Sequence, residues 1–144
     1  MSKIIIYTDG ACRGNPGPGG WGALLIYQDF KKELYGFNPH TTNNIMELTA
    51  VIKSLESIKQ NYPIMIITDS NYVKNGITDW IQSWKKNNWR TSNKKPVKNK
   101  DLWVELDSLS NLYDIEWQWV KGHSGDPGNE KADELANKAI DENL

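Results

Sequence analysis

Two short apolar runs that each end in Thr-Asp constrain the fold of this chain more than any other feature. They are residues 4–9, Ile-Ile-Ile-Tyr-Thr-Asp, and residues 64–69, Ile-Met-Ile-Ile-Thr-Asp. A short, wholly apolar run is typical of a strand buried on both faces. In open α/β sheets, ligands bind just outside the carboxyl ends of the strands. Two such strands side by side would place two carboxylates together, where their mutual repulsion favours a bound cation.

The remaining patterns predict a sheet and helices around these two strands. Strands at residues 3–9, 21–27 and about 33–37, joined by a loop at 10–20 and a short turn, predict an antiparallel meander. Apolar residues at helical spacing predict an amphipathic helix over 44–59. Further helices are predicted at about 71–77, 80–87, 100–111 and 127–140, with a last strand at 114–120. We therefore predict an α/β fold, a mixed five-stranded sheet with three antiparallel strands, two parallel additions and helices on both faces.

The composition predicts one soluble, cytoplasmic domain spanning residues 1–144. A hydrophobic fraction of 38% is enough for a core, and 24% charged residues suits a soluble surface. Cys12 is the single cysteine, which excludes an internal disulfide and fits a reducing compartment. No signal peptide is expected, and no apolar run approaches the roughly 18 residues that a membrane span needs.

The net charge of −1 hides one strongly basic segment. Residues 80–100 carry seven basic residues and no Asp or Glu, so this segment has a charge of +7. The rest of the chain therefore has a net charge of −8. Trp80, Trp84 and Trp89 lie in the same segment. Two interpretations stay open: a surface that binds a polyanion, or a solvated face whose tryptophans anchor a helix to the core.

The run Gly-Pro-Gly-Gly-Trp-Gly at residues 17–22 matches the glycine pattern of dinucleotide-binding folds. That motif requires a helix immediately afterwards, so that the helix amino terminus meets the pyrophosphate. Residues 23–27, Ala-Leu-Leu-Ile-Tyr, predict a strand instead. We therefore expect no nucleotide cofactor.

Asp9, Asp69, Glu47 and Asp133 are candidate metal ligands. An Asp after a strand is also common as the first residue of a turn or as a helix cap. Glu47 has an alternative role too, because Asn44-x-x-Glu47 has the spacing of a capping box. Asp133, taken alone, is an ordinary surface acid on a helix.

Histidine and asparagine side chains add to this set. His123 lies between glycines in a loop after the last predicted strand, where it could exchange protons near neutral pH or simply be exposed. Asn43 is four residues from Glu47 and would share its helix face, which could form a polar floor for a substrate. His40 has no such context and is expected to be structural.

Taken in order along the chain, these segments resemble type 1 ribonuclease H of the bacterial kind. The shared motifs lie in residues 7–10 (YTDG), 14–20 (GNPGPGG), 41–48 (TTNNIMEL), 68–70 (TDS), 94–99 (KKPVKN), 119–123 (WVKGH) and 133–136 (DELA). They cover nearly the whole chain at family spacing. The resemblance implies a ribonuclease H-like sheet with a basic protrusion at about residues 80–100.

The resemblance implies an endonuclease that hydrolyses the RNA strand of RNA·DNA hybrids and leaves 5′-phosphate and 3′-hydroxyl ends. Two divalent ions roughly 3.5–4 Å apart would activate water and stabilise the departing oxygen. Asp9 would bridge both ions, Glu47 and Asp69 would hold one, and Asp133 would hold the other, with His123 as a mobile catalytic histidine. Hard oxygen ligands favour Mg²⁺, with Mn²⁺ as a usable substitute.

The resemblance also implies a set of hybrid-binding residues. The 2′-hydroxyls of RNA are displayed in a wide minor groove, and five residues would line that groove: Cys12, Asn15, Asn43, Asn44 and Asn71. Thr42 would hold a phosphate of the DNA strand. The basic segment would bind further backbone phosphates through Trp80, Lys85, Lys86, Arg90, Lys94, Lys95 and Lys98. The expected partner is an RNA·DNA hybrid bound by a monomer, with no membrane contact.

Two other classes of function deserve comparison with this one. A binding-only module of the same fold would be expected to lack one of the carboxylates, whereas all four are present here. A junction resolvase or a proofreading exonuclease on this fold would lack the Asn43-Asn44 pair and the basic protrusion. Both comparisons favour a catalytic ribonuclease H.

Overall fold

The computed structural model describes residues 2–91, 93–122 and 125–144. Within these ranges the strands are β1 (Ile4–Cys12), β2 (Gly17–Tyr27), β3 (Phe30–Thr41), β4 (Ile64–Thr68) and β5 (Ile115–Trp119). They form one sheet in the spatial order β3-β2-β1-β4-β5. The pairs β1–β2 and β2–β3 are antiparallel, and the pairs β1–β4 and β4–β5 are parallel. The predicted mixed sheet is confirmed.

The helices of the described ranges lie on both sides of this sheet. They are α1 (Asn43–Glu56), α2 (Asn71–Asn75), α3 (Ile81–Lys86), α4 (Lys100–Ser110) and α5 (Pro127–Asp141). In the part of the chain that the structure describes, none of these helices is long and apolar enough to span a membrane. The central helix α1 presents Leu48, Val51 and Leu55 to the core, and all three are fully buried. Its amino end is capped by Thr42, whose Oγ1 accepts a hydrogen bond from the Ile45 N–H at 3.2 Å.

The first hairpin is longer than the predicted one. The prediction of a loop over residues 10–20 is wrong, because β1 continues to Cys12 and β2 begins at Gly17. Ala11 pairs with Gly20, and Cys12 pairs with Gly19. Glycines weaken a strand prediction because they carry no side chain to pack. Here that missing side chain is required, because α5 lies directly against β2. A Cβ on Gly22 would overlap the Ala132 carbonyl oxygen and lie 2.7 Å from the Ala136 nitrogen.

The helices after β4 also differ from the prediction. The expected helices at about 71–77 and 80–87 are separated by a π-helical turn, Gly76–Trp80, which connects α2 to α3. Gly76 packs on the ring of the fully buried Trp103, and a Cβ at position 76 would overlap that ring. The contact between Gly76 and Trp103 joins α4 to this turn, and no local pattern in residues 71–87 indicates it.

We expect Gly22→Ala to destabilise the protein by about 1–3 kcal/mol, because α5 must move away from β2 to admit the methyl group. Chemical denaturation followed by circular dichroism measures this loss. Gln118→Ala, at an exposed position of β5, serves as the control and should change the free energy of unfolding little. Equal stability of the Gly22 variant and the wild type would show that α5 does not pack tightly on β2.

Candidate active site

The register of the parallel pair β1–β4 brings two carboxylates to one edge of the sheet. Tyr7 lies opposite Ile67 in this pairing. Asp9 and Asp69 each follow two residues later, so both side chains emerge at the same carboxyl edge, as predicted. One carboxylate oxygen from each of Asp9, Glu47 and Asp69 lies within 4.8 Å of the other two.

Glu47 reaches this edge because α1 packs very closely on β1 at Gly10. A Cβ on Gly10 would lie 2.5 Å from the Glu47 nitrogen, so glycine permits the approach. The Gly10 N–H donates to Glu47 Oε1 at 2.6 Å and to Asp9 Oδ1 at 2.9 Å. The capping-box role considered for Glu47 is wrong, since Thr42 caps α1 and Glu47 is buried beside Asp9. The contribution of Gly10 was missed, because Asp-Gly after a strand also indicates a turn.

Asp133 comes to the same place from α5. It lines a cavity of about 390 Å³ together with the other three carboxylates. The Asn137 side chain donates to Asp133 Oδ1 at 3.3 Å and to the Asp133 carbonyl oxygen at 3.0 Å. This pair of bonds ties the side chain of Asn137, one helical turn further along α5, to Asp133. All four predicted carboxylates therefore face one cavity.

The cluster raises the pKa of its two most buried members. Burial is the largest cause for Asp9, and the neighbouring Glu47, Asp69 and Asp133 raise its pKa further. Burial also raises the pKa of Glu47, although hydrogen bonds from the Asp9 side chain and from the Gly10 N–H act in the opposite direction. The direction is upward for both carboxyl groups, because burial and neighbouring negative charge disfavour their ionised forms.

A divalent cation fits this arrangement. Glu47 Oε2 is buried and accepts no hydrogen bond from any described residue. A buried acceptor without a partner is costly, and a cation beside it would remove that cost. Carboxylate oxygens are hard ligands of the kind that Mg²⁺ and Mn²⁺ prefer. Asp9, Glu47 and Asp69 are placed to hold such an ion, and Asp133 lies on the same cavity.

The predicted minor-groove residues lie on and beside the wall of this cavity. Asn43, Asn44 and Asn71 line it directly. Asn15 is linked to it, since its Oδ1 accepts a hydrogen bond from the Asn43 N–H at 3.0 Å. Cys12 is half-buried at the end of β1, with Sγ 2.9 Å from the Gly14 carbonyl oxygen. Asn43, Asn44 and Asn71 thus form one polar surface with the carboxylates, and Asn15 extends it next to the capping Thr42.

The basic segment combines features of both interpretations given above. Trp84 and Trp89 pack against the hydrophobic core, as the anchoring interpretation expects. Trp80 is the more exposed tryptophan, at 36%. Lys85 Nζ lies 3.3 Å from Asp107 Oδ2 and is therefore paired. Six other basic side chains of the segment are exposed and have no acidic partner within the described ranges: Lys86, Arg90, Lys94, Lys95, Lys98 and Lys100.

His123 lies outside the described residues. The neighbouring Gly122 lies close to the cluster, because a Cβ at this position would be 2.8 Å from Asp69 Oδ2. His40 is exposed on β3, and its backbone N–H donates to Asn38 Oδ1 at 3.0 Å.

A mixed sheet with four carboxylates around one cavity at the β1–β4 edge defines a metal-dependent nuclease. The family model for RNase H matches residues 1–141. A ribonuclease H from Alcanivorax borkumensis is 61% identical over 142 residues, covering 99% of this chain and 94% of the relative. The chain belongs to the RNase H family.

Solved structures agree with this assignment. The crystal structure of LC9-RNase H1, a type 1 RNase H with the type 2 active-site motif, matches with a TM-score of 0.88 at 31% identity. That match covers 100% of this chain and 74% of the LC9 protein. LC11-RNase H1, solved in complex with RNA/DNA hybrid, matches with a TM-score of 0.73 at 25% identity over 97% of this chain and 98% of its own.

Family membership confirms the resemblance and the class of activity. The chain is an enzyme, a nuclease that hydrolyses the RNA strand of RNA·DNA hybrids. The family depends on divalent metal, and the Asp9–Glu47–Asp69 cluster is compatible with catalysis by two metal ions.

The cluster predicts an unusual pH dependence of stability in metal-free buffer. The pKa values of Asp9 and Glu47 are raised above the ordinary 3.8 and 4.5. The folded state therefore binds more protons than the unfolded state above about pH 4, and the free energy of unfolding falls as the pH rises from there through neutrality. Asp9→Asn should stabilise the metal-free protein near neutral pH by at least about 1 kcal/mol, the equivalent of one pKa unit.

Thermal unfolding with EDTA between pH 4.5 and 8 measures this effect. Asp9→Asn should give a flatter pH profile than the wild type, and Asp29→Asn, an exposed carboxylate between β2 and β3, is the control. Parallel profiles for Asp9→Asn and the wild type would mean that the carboxylates do not repel each other in the folded protein.

Proposed function

We propose that this chain cuts the RNA strand of RNA·DNA hybrids internally with two Mg²⁺ ions, leaving 5′-phosphate and 3′-hydroxyl ends. Mn²⁺ is a usable substitute because it prefers the same oxygen ligands. The observation that carries the proposal is the group formed by the buried Asp9 and Glu47 and the half-buried Asp69, with Glu47 Oε2 lacking a hydrogen-bond partner among the described residues. Family membership supports the same reaction.

In this proposal Asp9, Glu47, Asp69 and Asp133 would hold the two ions: Asp9 would ligate both, Glu47 and Asp69 one of them, and Asp133 the other. When bound, the cations supply activation of water and stabilisation of the departing oxygen. The protein contributes orientation: the Gly10 N–H holds Glu47 Oε1 and leaves Oε2 free to ligate. His123 is proposed to carry a proton or to help the product leave.

Hybrid recognition is proposed to use the polar surface around the cavity. The amides of Asn15, Asn43, Asn44 and Asn71, with Cys12, would meet 2′-hydroxyls and base edges in the minor groove. The support is that Asn43, Asn44 and Asn71 line the acidic cavity and that Asn15 is bonded to Asn43. Thr42 is proposed to hold a phosphate of the DNA strand. Trp80 and the basic residues Lys85, Lys86, Arg90, Lys94, Lys95 and Lys98 would bind backbone phosphates and sugars, which sets affinity and register.

We further propose that the chain acts as one domain over residues 1–144, with the basic protrusion at about 80–100, and as a cytoplasmic monomer. The four carboxylates come from β1, α1, the β4 tip and α5 of one chain, which is the support for a monomeric site. The single cysteine is the support for a reducing compartment.

The decisive experiment is cleavage of a uniformly labelled RNA·DNA hybrid with and without Mg²⁺, beside the same RNA single-stranded, duplex DNA and duplex RNA. Internal cuts confined to the hybrid and dependent on metal are expected. Asp9→Asn should abolish cleavage but still bind the hybrid, since the groove surface survives; Asp29→Asn should cleave normally. Near-normal turnover by Asp9→Asn would remove Asp9 from the site. Tight binding by the wild type without cleavage would indicate a binding-only module.

Replacing Lys85 and Lys86 together by Ala should weaken hybrid binding and lower the log–log salt dependence by about one unit or more. Most of the change is expected from Lys86, because Lys85 already pairs with Asp107. Fluorescence anisotropy across a salt series in EDTA measures the slope, with Lys53→Ala on α1 as the control. An unchanged slope would assign the segment to a solvated face.

A further inference from the structure

A second cavity lies beside the carboxylates and has a different charge. Its volume is about 360 Å³, and it shares Asp69, Ser70 and Asn71 with the acidic cavity. Its remaining lining comes from Lys74 on α2 and from the chain that follows β5, residues 119–122. The two cavities are therefore neighbours, with the Asp69 carboxylate between them.

Two ammonium groups line this second cavity. Lys74 and Lys121 are both exposed, and neither lies within 4.0 Å of a carboxylate in the described part of the chain, whereas Lys85 and Lys131 do. Asp69 is the only acidic residue among the described lining residues, and its carboxylate belongs to the metal-binding group. Lys74 and Lys121 thus remain available to an anion from outside.

The backbone holds Lys121 close to the cluster. The Val120 N–H donates to the Thr68 carbonyl oxygen at 3.0 Å, which extends the β4–β5 pairing past Trp119. Gly122 then passes so close to Asp69 that a Cβ would lie 2.8 Å from Oδ2. Lys121 lies between Val120 and Gly122 and is therefore held at the same edge of the sheet as Asp69.

We propose that this second cavity, the Lys74–Lys121 cavity, binds the phosphate of the RNA strand adjacent to the one that is cleaved. The inference rests on the proposed function. Only the strand being cut enters the acidic cavity, and its next phosphate must pass close to four carboxylates that repel it. Lys74 and Lys121 line the same cavity as Asp69 and pair with no described carboxylate, so their charges would offset that repulsion.

Uncharged groups of the cavity complement the two lysines. Ser70 lines the cavity as well, and its Oγ accepts a hydrogen bond from the Val73 N–H at 3.1 Å. Trp119 adds an apolar wall, against which a ribose can pack. Lys74 and Lys121 act as positioning residues: they hold the strand in register and take no part in the chemistry.

The first test measures hybrid binding in EDTA and cleavage in Mg²⁺ for Lys74→Ala, Lys121→Ala and the double variant. Each replacement should weaken binding roughly fivefold at low salt and lower the salt slope by about one unit, with turnover at saturating hybrid unchanged. Lys74→Arg with Lys121→Arg should restore the wild-type slope. Lys32→Ala, an exposed lysine on β3, is the matched control and should change neither quantity. Wild-type slopes in the alanine variants would overturn the inference.

The second test locates the phosphate with hybrids that carry one neutral methylphosphonate at successive positions. In the wild type, a substitution next to the cleaved bond in the RNA strand should weaken binding, and this penalty should disappear in the double alanine variant. A penalty that persists in the variant, or that lies in the DNA strand, would overturn the inference. A wild-type protein that neither binds nor cleaves the hybrid would instead refute the proposed function, so the two failures are distinct.

Discussion

Because β1 and β4 run parallel with Tyr7 opposite Ile67, two Thr-Asp tips emerge together at one edge of the sheet. The rest of the site is built around this pair: α1 brings Glu47 over Gly10, and α5 brings Asp133 over Gly20 and Gly22. Each contact depends on a glycine that lets a helix approach a strand. The same edge holds the carboxylates of the proposed metal site, and the fold must withstand their mutual repulsion.

The repulsion is a cost that the apolar core must offset. Ile6 and Ile66, just before the two tips, are completely buried and belong to the same hydrophobic core as Leu48 and Leu55 of α1. Core packing of this density keeps the strand tips from separating when the carboxylates are charged. The proposed activity needs an ionised Asp9 carboxylate, whereas the stability of the metal-free fold favours an uncharged side chain at this position. Such a trade-off between activity and stability is common at functional sites.

The sequence predicts the parts of this site that depend on local pattern. The two strand tips are visible as apolar runs, and α1 is visible from its helical spacing. Local pattern could not identify Glu47 as buried beside Asp9, since the contact at Gly10 is made between residues far apart in the chain. The sequence pattern of α5 likewise describes Asp133 as a surface acid, because its place beside the other carboxylates depends on the packing of α5 on β2. Only the resemblance to the ribonuclease H family identified Asp133 as a metal ligand. The extension of β2 to Gly17, the π-helical turn and the ion pair of Lys85 with Asp107 have the same origin in tertiary packing.

The aromatic residues explain how the basic segment can act on a substrate held at the carboxylates. The rings of Trp84 and Trp103 lie 5.4 Å apart, and Trp103 Nε1 donates to the Tyr72 hydroxyl at 3.0 Å. Tyr72 in turn lines the acidic cavity. A continuous packed path therefore runs from the base of the segment to the site. The fold thus sets the distance between the basic segment and the carboxylates. In the proposed function, phosphates on the segment would therefore keep a fixed register with the strand at the acidic cavity.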